Sequence, residues 1–265
     1  MDHTPQEEHE TQAPMDVEAL RRGLAGLRLG TPLIYVGEMG STNAYAGELA
    51  RDGAAEGTLV TTDYQSAGRG RVGRVWKERR NQQLALSLVL RPSFPPHFLV
   101  MASALAVAQA IEAVTNLRPD IKWPNDVLIS GRKVCGILIE TSAGVAVLGM
   151  GVNVNGSVDA DPELASRATT LQATRGQPVS REALAVAIIT RLDARYGDLL
   201  EGGAEARRAL RESWRERLVT LGRRAIVRQR DATLAGLALD VDDDGALLLR
   251  LDDGRLTTVL WGDVE

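Results

Sequence analysis

The chain has 265 residues, of which 44% are hydrophobic and 25% are charged, a balance typical of a globular protein with a sizeable core. Its net charge of -4 at pH 7 argues against a general nucleic-acid binder, because such proteins usually carry strongly basic domains. The single cysteine excludes an internal disulfide framework, and with only three histidines the sequence offers little material for a Cys/His zinc site.

Residues 1–15 contain several acids and no lysine or arginine, which predicts a disordered acidic tail rather than a signal or transit peptide. Asp16 can cap a first helix that runs to about Leu27. The segment PLIYVGEM then predicts a short strand. Ser41 or Thr42 begins a second helix, which ends near Gly53. The first part of the chain therefore alternates helix and strand.

Two alternating runs follow, GTLVTTDYQ and NQQLALSLVLR, and the second places Leu84, Leu86, Leu88 and Leu90 on one face of a strand. The Gly/Arg-rich stretch QSAGRGRVGRVW, residues 65–76, joins these two strands. The apolar segment 98–114 is interrupted by polar residues and falls short of the roughly 18 clean apolar residues that a membrane span needs. We therefore predict a buried helix there.

Three strand-like runs come next, IKWPNDVLI, GRKVCGILIE and VAVLGMGVNVN, and their short turns indicate a mainly antiparallel sheet. Residues 156–180 are irregular. Helices are predicted at about 181–200 and 204–219, and four short strands separated by DDDG and DDG turns fill residues 220–265. The prediction is an α+β fold: a mixed sheet flanked by helices over 16–219, then a small barrel-like β domain over 220–265.

The spacing Gly68-x-Gly70-x-x-Gly73 is that of a dinucleotide-binding turn, but such a turn needs a helix directly after the glycines, and here a strand follows. Three interpretations remain. The arginines of this loop could contact nucleic acid, although aromatic residues for base stacking are scarce. The loop could be a solvated hairpin tip, or it could close over a charged small molecule.

Five segments together resemble the biotin protein ligases: STN at 41–43, QSAGRGRVGRVW at 65–76, KWPNDVLI at 122–129, GRKVCGILIE at 131–140 and GMGVNVN at 149–155. The resemblance runs in order from about residue 40 to 265. It implies a class II synthetase-like catalytic domain with a C-terminal SH3-like barrel. It also implies biotin and ATP as substrates with Mg²⁺, activation of biotin to biotinyl-5′-AMP, and transfer to a lysine of a biotin carboxyl carrier domain.

The resemblance also assigns residues to roles. Lys122 is expected between the biotin carboxylate and the α-phosphate and, with Arg69 and Arg71, is expected to be catalytic. Asp126 is the expected neighbour of any Mg²⁺. The biotin-binding set is Ser41, Thr42, Asn43, Gln65, Arg69, Gly70, Arg71, Lys122 and Gly136. The ATP or adenylate set is Arg69, Arg71, Trp76, Lys122, Asn125, Lys133 and Asn153.

Only about 40 residues precede STN, so the resemblance favours a ligase-only form without an N-terminal DNA-binding domain. It implies a cytoplasmic enzyme, either a monomer or a homodimer that pairs through its sheets, whose partner is the carrier domain rather than DNA or a membrane. Two alternatives stay open. One is a lipoate or octanoate ligase or transferase, whose acyl-enzyme versions need a reactive cysteine, whereas Cys135 lies in a predicted buried strand. The other is a nucleic-acid-binding module that uses the arginine-rich loop.

Overall fold

The computed structural model describes residues 12–158 and 162–264. Most of the predicted acidic tail, residues 1–11, lies outside the described residues. The helices are α1 Val17–Leu24, α2 Thr42–Arg51, α3 Phe98–Thr115, α4 Pro162–Arg167, α5 Leu171–Arg175, α6 Arg181–Glu201 and α7 Gly203–Arg215. The strands are β1 Leu33–Val36, β2 Leu59–Thr62, β3 Leu84–Leu90, β4 Asp120–Lys122, β5 Asp126–Ile129, β6 Arg132–Ser142, β7 Val145–Val152, β8 Arg224–Arg228, β9 Thr233–Val241, β10 Leu247–Leu251, β11 Leu256–Val259 and β12 Asp263–Val264.

The larger sheet has seven strands in the order β1-β2-β3-β7-β6-β5-β4. Only the β1–β2 pair is parallel, and the other neighbours are antiparallel, which confirms the predicted mixed sheet. A second sheet, β11-β10-β9-β8-β12, is antiparallel throughout and forms the small C-terminal unit. The α+β fold class is therefore as predicted.

Strand β3 shows how the two faces of the large sheet are used. Leu84, Leu86, Leu88 and Leu90 belong to the main core, together with the buried residues of α3 and α6. The alternate residue Val89 faces the other way, into a small cluster with Ala46 of α2. Because side chains alternate across a strand, Ala85 and Ser87 share this second face, which is where the functional site lies.

Helix α3 is the one helix among the described residues with the length and mean hydropathy of a membrane span, 18 residues at 1.8. Within the fold 72% of it is buried, because its apolar residues point all round and pack between the sheet and α6. The predicted buried core helix is confirmed.

The run IKWPNDVLI is a hairpin rather than the single strand expected from its apolar content. Its first part forms β4, residues 123–125 form the turn, and its last part forms β5. Pro124 explains the break, because proline has no N–H to donate to a strand ladder. This correction moves Lys122 to the last position of an edge strand.

Residues 13–15, the end of the segment predicted to be disordered, pack onto the larger unit. Met15 is 5% exposed, and its N–H donates to both carboxylate oxygens of Asp63 at 3.1 and 3.3 Å. Arg181 of α6 donates to Asp63 Oδ1 at 2.7 Å and to the carbonyl of Ala13 at 2.8 Å. Asp63 and Arg181 are almost completely buried. Their hydrogen bonds to Met15 and Ala13 hold the first described residues against the sheet.

Candidate functional site

A cavity of about 640 Å³ opens on the α2 face of the large sheet. Its volume lies in the range of small-molecule sites, about 300–1,000 Å³. All five sequence segments singled out above contribute to its wall. Every predicted site residue except Lys122 and Asp126 lines it: Ser41, Thr42, Asn43, Gln65, Arg69, Gly70, Arg71, Trp76, Asn125, Lys133, Gly136 and Asn153.

The floor of the cavity is made by glycines of β6 and β7. A methyl group placed on Gly151 would meet the indole ring of Trp76 at 2.8 Å, and one placed on Gly149 would meet Asn43 Oδ1 at 2.2 Å. The absence of side chains there lets Trp76 and Asn43 lie against the sheet. Gly136, which was expected to let biotin approach the backbone, borders the cavity, but the space above it is taken by Lys133 and Trp76.

Part of the cavity wall consists of neutral hydrogen-bonding groups beside the half-buried carboxylate of Glu78, whose chain neighbours Lys77 and Arg79 also line the cavity. Gln65 Oε1 accepts from the N–H of Thr42 at 2.8 Å and from its hydroxyl at 3.0 Å. Ser41 is the N-cap of α2, and the Thr42 N–H is one of the first-turn donors that have no acceptor within the helix itself. Glu78 accepts from the backbone N–H of Gln65 at 2.9 Å and from its Nε2 at 2.5 Å. Burial raises the pKa of the Glu78 carboxyl, and the hydrogen bonds from Gln65 oppose that rise.

Hydrogen bonds extend from these groups along the wall. Ser87 Oγ lies 2.8 Å from the hydroxyl of Thr42 and 2.7 Å from Oδ1 of Asn43. Asn43 Nδ2 donates to Glu140 at 3.0 Å, and the other oxygen of Glu140 accepts from Arg69 Nη2 at 2.7 Å. The network fixes the orientation of the Asn43 amide, because an ionised carboxylate can only accept.

The arginine-rich loop is tied to three different parts of the protein. Arg69 pairs with Glu140 on β6, and Arg71 Nη1 donates to Asn125 Oδ1 at 2.6 Å. Arg74 pairs with Asp263 of β12, in the C-terminal unit. Burial lowers the pKa of Arg71, which reflects withdrawal of this guanidinium from water into the cavity wall. The loop is therefore joined to the rest of the protein at three points, while Val72 and Val75 at its tip stay 67% and 71% exposed.

Another part of the cavity wall is cationic. Lys133 Nζ lies 2.7 Å from Asp126 Oδ1 and 5.7 Å from the centre of the Trp76 ring. An ammonium over the face of an indole is a favourable cation–π geometry. Together with Arg71 it provides two fixed positive charges beside the open volume.

Lys122, the strongest expectation of the sequence, is not in this cavity. Register pairs connect Gly151, Gly136, Asp126 and Lys122 across four adjacent strands. Because neighbouring strands are about 4.8 Å apart, Lys122 lies about 10 Å from Gly136, at the edge of the sheet. Residues paired in register share one face of a sheet, so Lys122 lies on the same face as Gly136 and Gly151, one strand beyond Asp126. Its contact with a ligand stays a prediction, and Lys133 is the lysine of this strand region that lines the cavity.

Cys135 lies in the middle of β6, fully buried as predicted. Desolvation raises the pKa of its thiol to about 12, with Lys133 opposing the rise. A thiol with that pKa is protonated at neutral pH and is a poor nucleophile. An acyl-enzyme mechanism through Cys135 has no structural basis.

A metal site made of protein side chains is not present in the described part of the chain, where no three His, Cys, Asp or Glu residues come together. Asp126, the residue expected near Mg²⁺, is engaged by Lys133.

Four residues that hydrogen-bond to the cavity wall were not predicted from the sequence: Glu78, Ser87, Glu140 and Asp263. Ser87 carried a signal, since it is the only polar residue in β3, an otherwise apolar and fully buried strand. Glu140 ends the motif GRKVCGILIE and could have been noticed there. Glu78 and Asp263 gave no signal, because their importance arises only from contacts across 13 and 189 positions of the chain.

The segment 156–176, which resemblance placed over the nucleotide, runs beside the cavity. The N–H of Thr169 donates to the carbonyl of Lys133 at 2.9 Å, and the N–H of Leu171 donates to the carbonyl of Asn153 at 3.0 Å. Ser157, Val158, Arg167 and Ala168 line the cavity. Residues 159–161 lie outside the described residues.

Comparison with known proteins gives matches over both units. Residues 37–157 match the model of the biotin/lipoate A/B protein ligase family, and residues 220–265 match that of the biotin protein ligase C terminal domain. The chain is 38% identical over 256 residues to the bifunctional ligase/repressor BirA of Bacillus spizizenii, covering 93% of this chain and 77% of that protein. It is 34% identical to the biotin–[acetyl-CoA-carboxylase] ligase of Mycobacterium tuberculosis, with 95% of each covered.

Solved structures give the same result. The biotin protein ligase from Aquifex aeolicus in complex with biotin and ATP matches with a TM-score of 0.78 at 26% identity, covering 89% of this chain and 98% of that chain. A biotin protein ligase from Leishmania major in complex with biotinyl-5-AMP matches with a TM-score of 0.60 at 21% identity, which supports the fold alone.

Proposed function

This chain belongs to the biotin protein ligase family, and we propose that it activates biotin with ATP to biotinyl-5′-AMP and then biotinylates a carrier-domain lysine. Its activity is that of a biotin–[acetyl-CoA-carboxylase] ligase. The protein substrate is the biotin carboxyl carrier domain of acetyl-CoA carboxylase or a related carboxylase.

The observation that carries the proposal is the polarity of the cavity. Ser41, Thr42 and Gln65 offer neutral hydrogen-bonding groups in one part of the wall, and Lys133 and Arg71 present cations in another. Biotin has the same polarity, with a neutral ureido ring at one end and a carboxylate at the end of its side chain. A ligand bound in this direction places its carboxylate among the positive charges, where the nucleotide phosphates are also stabilised.

In the first step a carboxylate oxygen of biotin attacks the α-phosphorus of ATP, and the bond between the α-phosphorus and the bridging oxygen breaks to release diphosphate. Negative charge spreads over the phosphoryl oxygens in the transition state, so fixed cations accelerate the step more than a protein nucleophile would. Lys133, Arg69 and Arg71 line the cavity and supply such cations, and Lys122, on the same face of the sheet, stays the predicted contact between the biotin carboxylate and the α-phosphate. Trp76 flanks the adenylate, and Asn125 and Asn153 bind ATP through polar contacts.

In the second step the unprotonated ε-amine of the carrier lysine attacks the acyl carbon of the adenylate. The new amide bond forms as the acyl–phosphate bond breaks, AMP leaves, and the amine proton passes to solvent. The loop of residues 68–74 covers the mixed anhydride until the carrier arrives, which limits its hydrolysis. Its ties to Glu140, Asn125 and Asp263 support this covering role.

ATP enters as its magnesium complex in this scheme. The cation neutralises phosphate charge and comes with the substrate, and Asp126 is the nearest candidate for a contact from the protein. The carrier domain is the protein partner, without DNA or a membrane, and the reaction takes place in the cytoplasm. The oligomeric state, monomer or sheet-paired homodimer, stays a prediction.

The alternative of a lipoate or octanoate ligase shares the family model of residues 37–157. One assay separates the two. Purified protein is incubated with ATP, Mg²⁺, labelled biotin and a biotin carrier domain, and lipoate with a lipoyl domain serves as the control. Biotin transfer that depends on ATP and Mg²⁺ is expected. Transfer of lipoate alone, or no transfer to either domain, would overturn the proposal.

A further inference from the structure

We propose that Glu78 is a positioning residue that holds the Gln65 side-chain amide in one orientation and thereby selects a ligand with a urea carbonyl at the neutral end of the cavity. The inference rests on the proposed function, because it requires biotin to bind with its ureido ring beside Gln65. Glu78 lies between the arginine-rich loop and β3 and lines the cavity.

The first step of the argument is the geometry of the carboxylate. Both of its oxygens accept from Gln65, one from the backbone N–H at 2.9 Å and one from Nε2 at 2.5 Å. An ionised carboxylate has no donor, so it can face only the NH₂ side of the amide. The amide oxygen of Gln65 must then point away from Glu78.

The second step is what the amide oxygen does. It accepts from the N–H and the hydroxyl of Thr42, at 2.8 and 3.0 Å. If the amide turned over, its NH₂ would face the Thr42 N–H, and the hydrogen bonds to both Thr42 and Glu78 would be lost. Glu78 and the start of α2 therefore hold the same orientation from opposite sides.

The third step concerns the remaining hydrogen of the amide. Nε2 has two N–H bonds, and Glu78 uses one. Among the hydrogen bonds that Gln65 makes within the described residues, none uses the second N–H bond of Nε2. The Gln65 side chain lines the cavity. It can donate to a carbonyl oxygen, which the ureido ring has and a dithiolane ring lacks. A site that orients such a donor discriminates strongly against ligands without the matching acceptor.

The negative charge of Glu78 adds a second selection. Glu140 also lies on this wall, but Arg69 pairs with it, whereas the hydrogen bonds to Glu78 come from the neutral groups of Gln65. Like charges in a partly buried site repel, so a ligand carboxylate is disfavoured at this end. Glu78 thus helps to set the direction in which biotin enters.

The test is steady-state ligation by Glu78→Gln, which keeps the size of the side chain but lets either group of its amide face Gln65. We expect the KM for biotin to rise about tenfold, consistent with weakening one or two hydrogen bonds, while the KM for ATP and kcat stay within about threefold. The preference for biotin over 2-iminobiotin, which presents N–H groups where biotin has its carbonyl, should fall. An unchanged biotin KM, or an equal rise in the KM for ATP, would overturn the proposal.

Two controls make the result specific. Glu48→Gln, at an exposed position of α2, should leave every constant unchanged. In a double-mutant cycle with Gln65→Met, the Glu78 substitution should add little, because Glu78 acts through Gln65. Full additivity in a folded double variant would contradict the proposal. Wild-type protein that fails to ligate biotin would instead contradict the proposed function, so the two failures can be told apart.

Discussion

Lys133 Nζ lies 2.7 Å from Asp126 Oδ1, and this ion pair places the ammonium group over Trp76 at the cationic end of the cavity. Lys122 is paired in register with Asp126 from the other side, on the edge strand. The two lysines therefore flank one carboxylate, and of the two Lys133 is the one among the residues that line the cavity. This relationship gives the sharpest test of the proposed mechanism.

Lys133→Ala should reduce formation of biotinyl-adenylate by about 10²–10³-fold, the usual effect of removing one group that stabilises transition-state charge. Lys122→Ala should also abolish adenylation, as the resemblance implies for the lysine of KWPND, and Glu48→Gln at an exposed position of α2 serves as the control. Biotin-dependent exchange of labelled diphosphate into ATP measures this step directly. Exchange that survives in either lysine variant removes that lysine from the proposed role.

Arg71→Gly should loosen retention of the adenylate, because it removes a cavity guanidinium together with its hydrogen bond to Asn125. We expect the intermediate to be released at least about tenfold faster, corresponding to a loss of about 1.4 kcal/mol. Release is followed by trapping free biotinyl-adenylate after rapid dilution. Arg80→Gly, which removes an arginine that pairs with Glu38 outside the cavity, should leave the release rate unchanged.

Arg181→Met should destabilise the fold by about 3–5 kcal/mol, since it leaves Asp63 as a buried charge without its cationic partner. Urea unfolding measures the loss. Arg224→Met disrupts the exposed pair with Asp252 and should cost no more than about 1 kcal/mol. Equal losses in the two variants would show that burial is not the deciding factor.

Iodoacetamide at pH 7.5 should leave biotin ligation intact, because Cys135 is fully buried and the pKa of its thiol is raised to about 12. At that pH well under one thiol in about 10⁴ is ionised, and the side chain is 0% exposed. Mass spectrometry of the treated protein should find Cys135 unmodified until urea is added. Rapid inactivation of the native enzyme would support a cysteine mechanism instead.

Much of the fold follows from local patterns. The leucines of β3 alternate, Ser41 caps α2, and the long apolar run of α3 carries only scattered polar residues, so each element could be predicted within a few positions. The hairpin formed by IKWPNDVLI was missed because its apolar residues suggested one strand. Pro124 was the available signal, since it cannot donate to a continuous ladder.

The site could be predicted only in part. The glycines and arginines of the loop and the polar residues of STN do line one cavity. The choice between Lys122 and Lys133 could not be made from the sequence, because each follows a strand-forming pattern and belongs to a matching motif. Sheet order adds only their positions: Lys133, the second residue of β6, borders the cavity, whereas Lys122 ends β4, the strand farthest out, and the role of each stays a prediction.

By itself the sequence determined the class of fold, the segments that meet at the site and the family, because hydrophobic periodicity and short motifs act over neighbouring residues. The tertiary structure alone decided which charges face the ligand. Glu78 holds Gln65, Glu140 holds Arg69, and Asp263 holds Arg74 from the other unit. These pairs form only when the sheet brings distant residues within hydrogen-bonding distance, and no local pattern in the sequence records that distance.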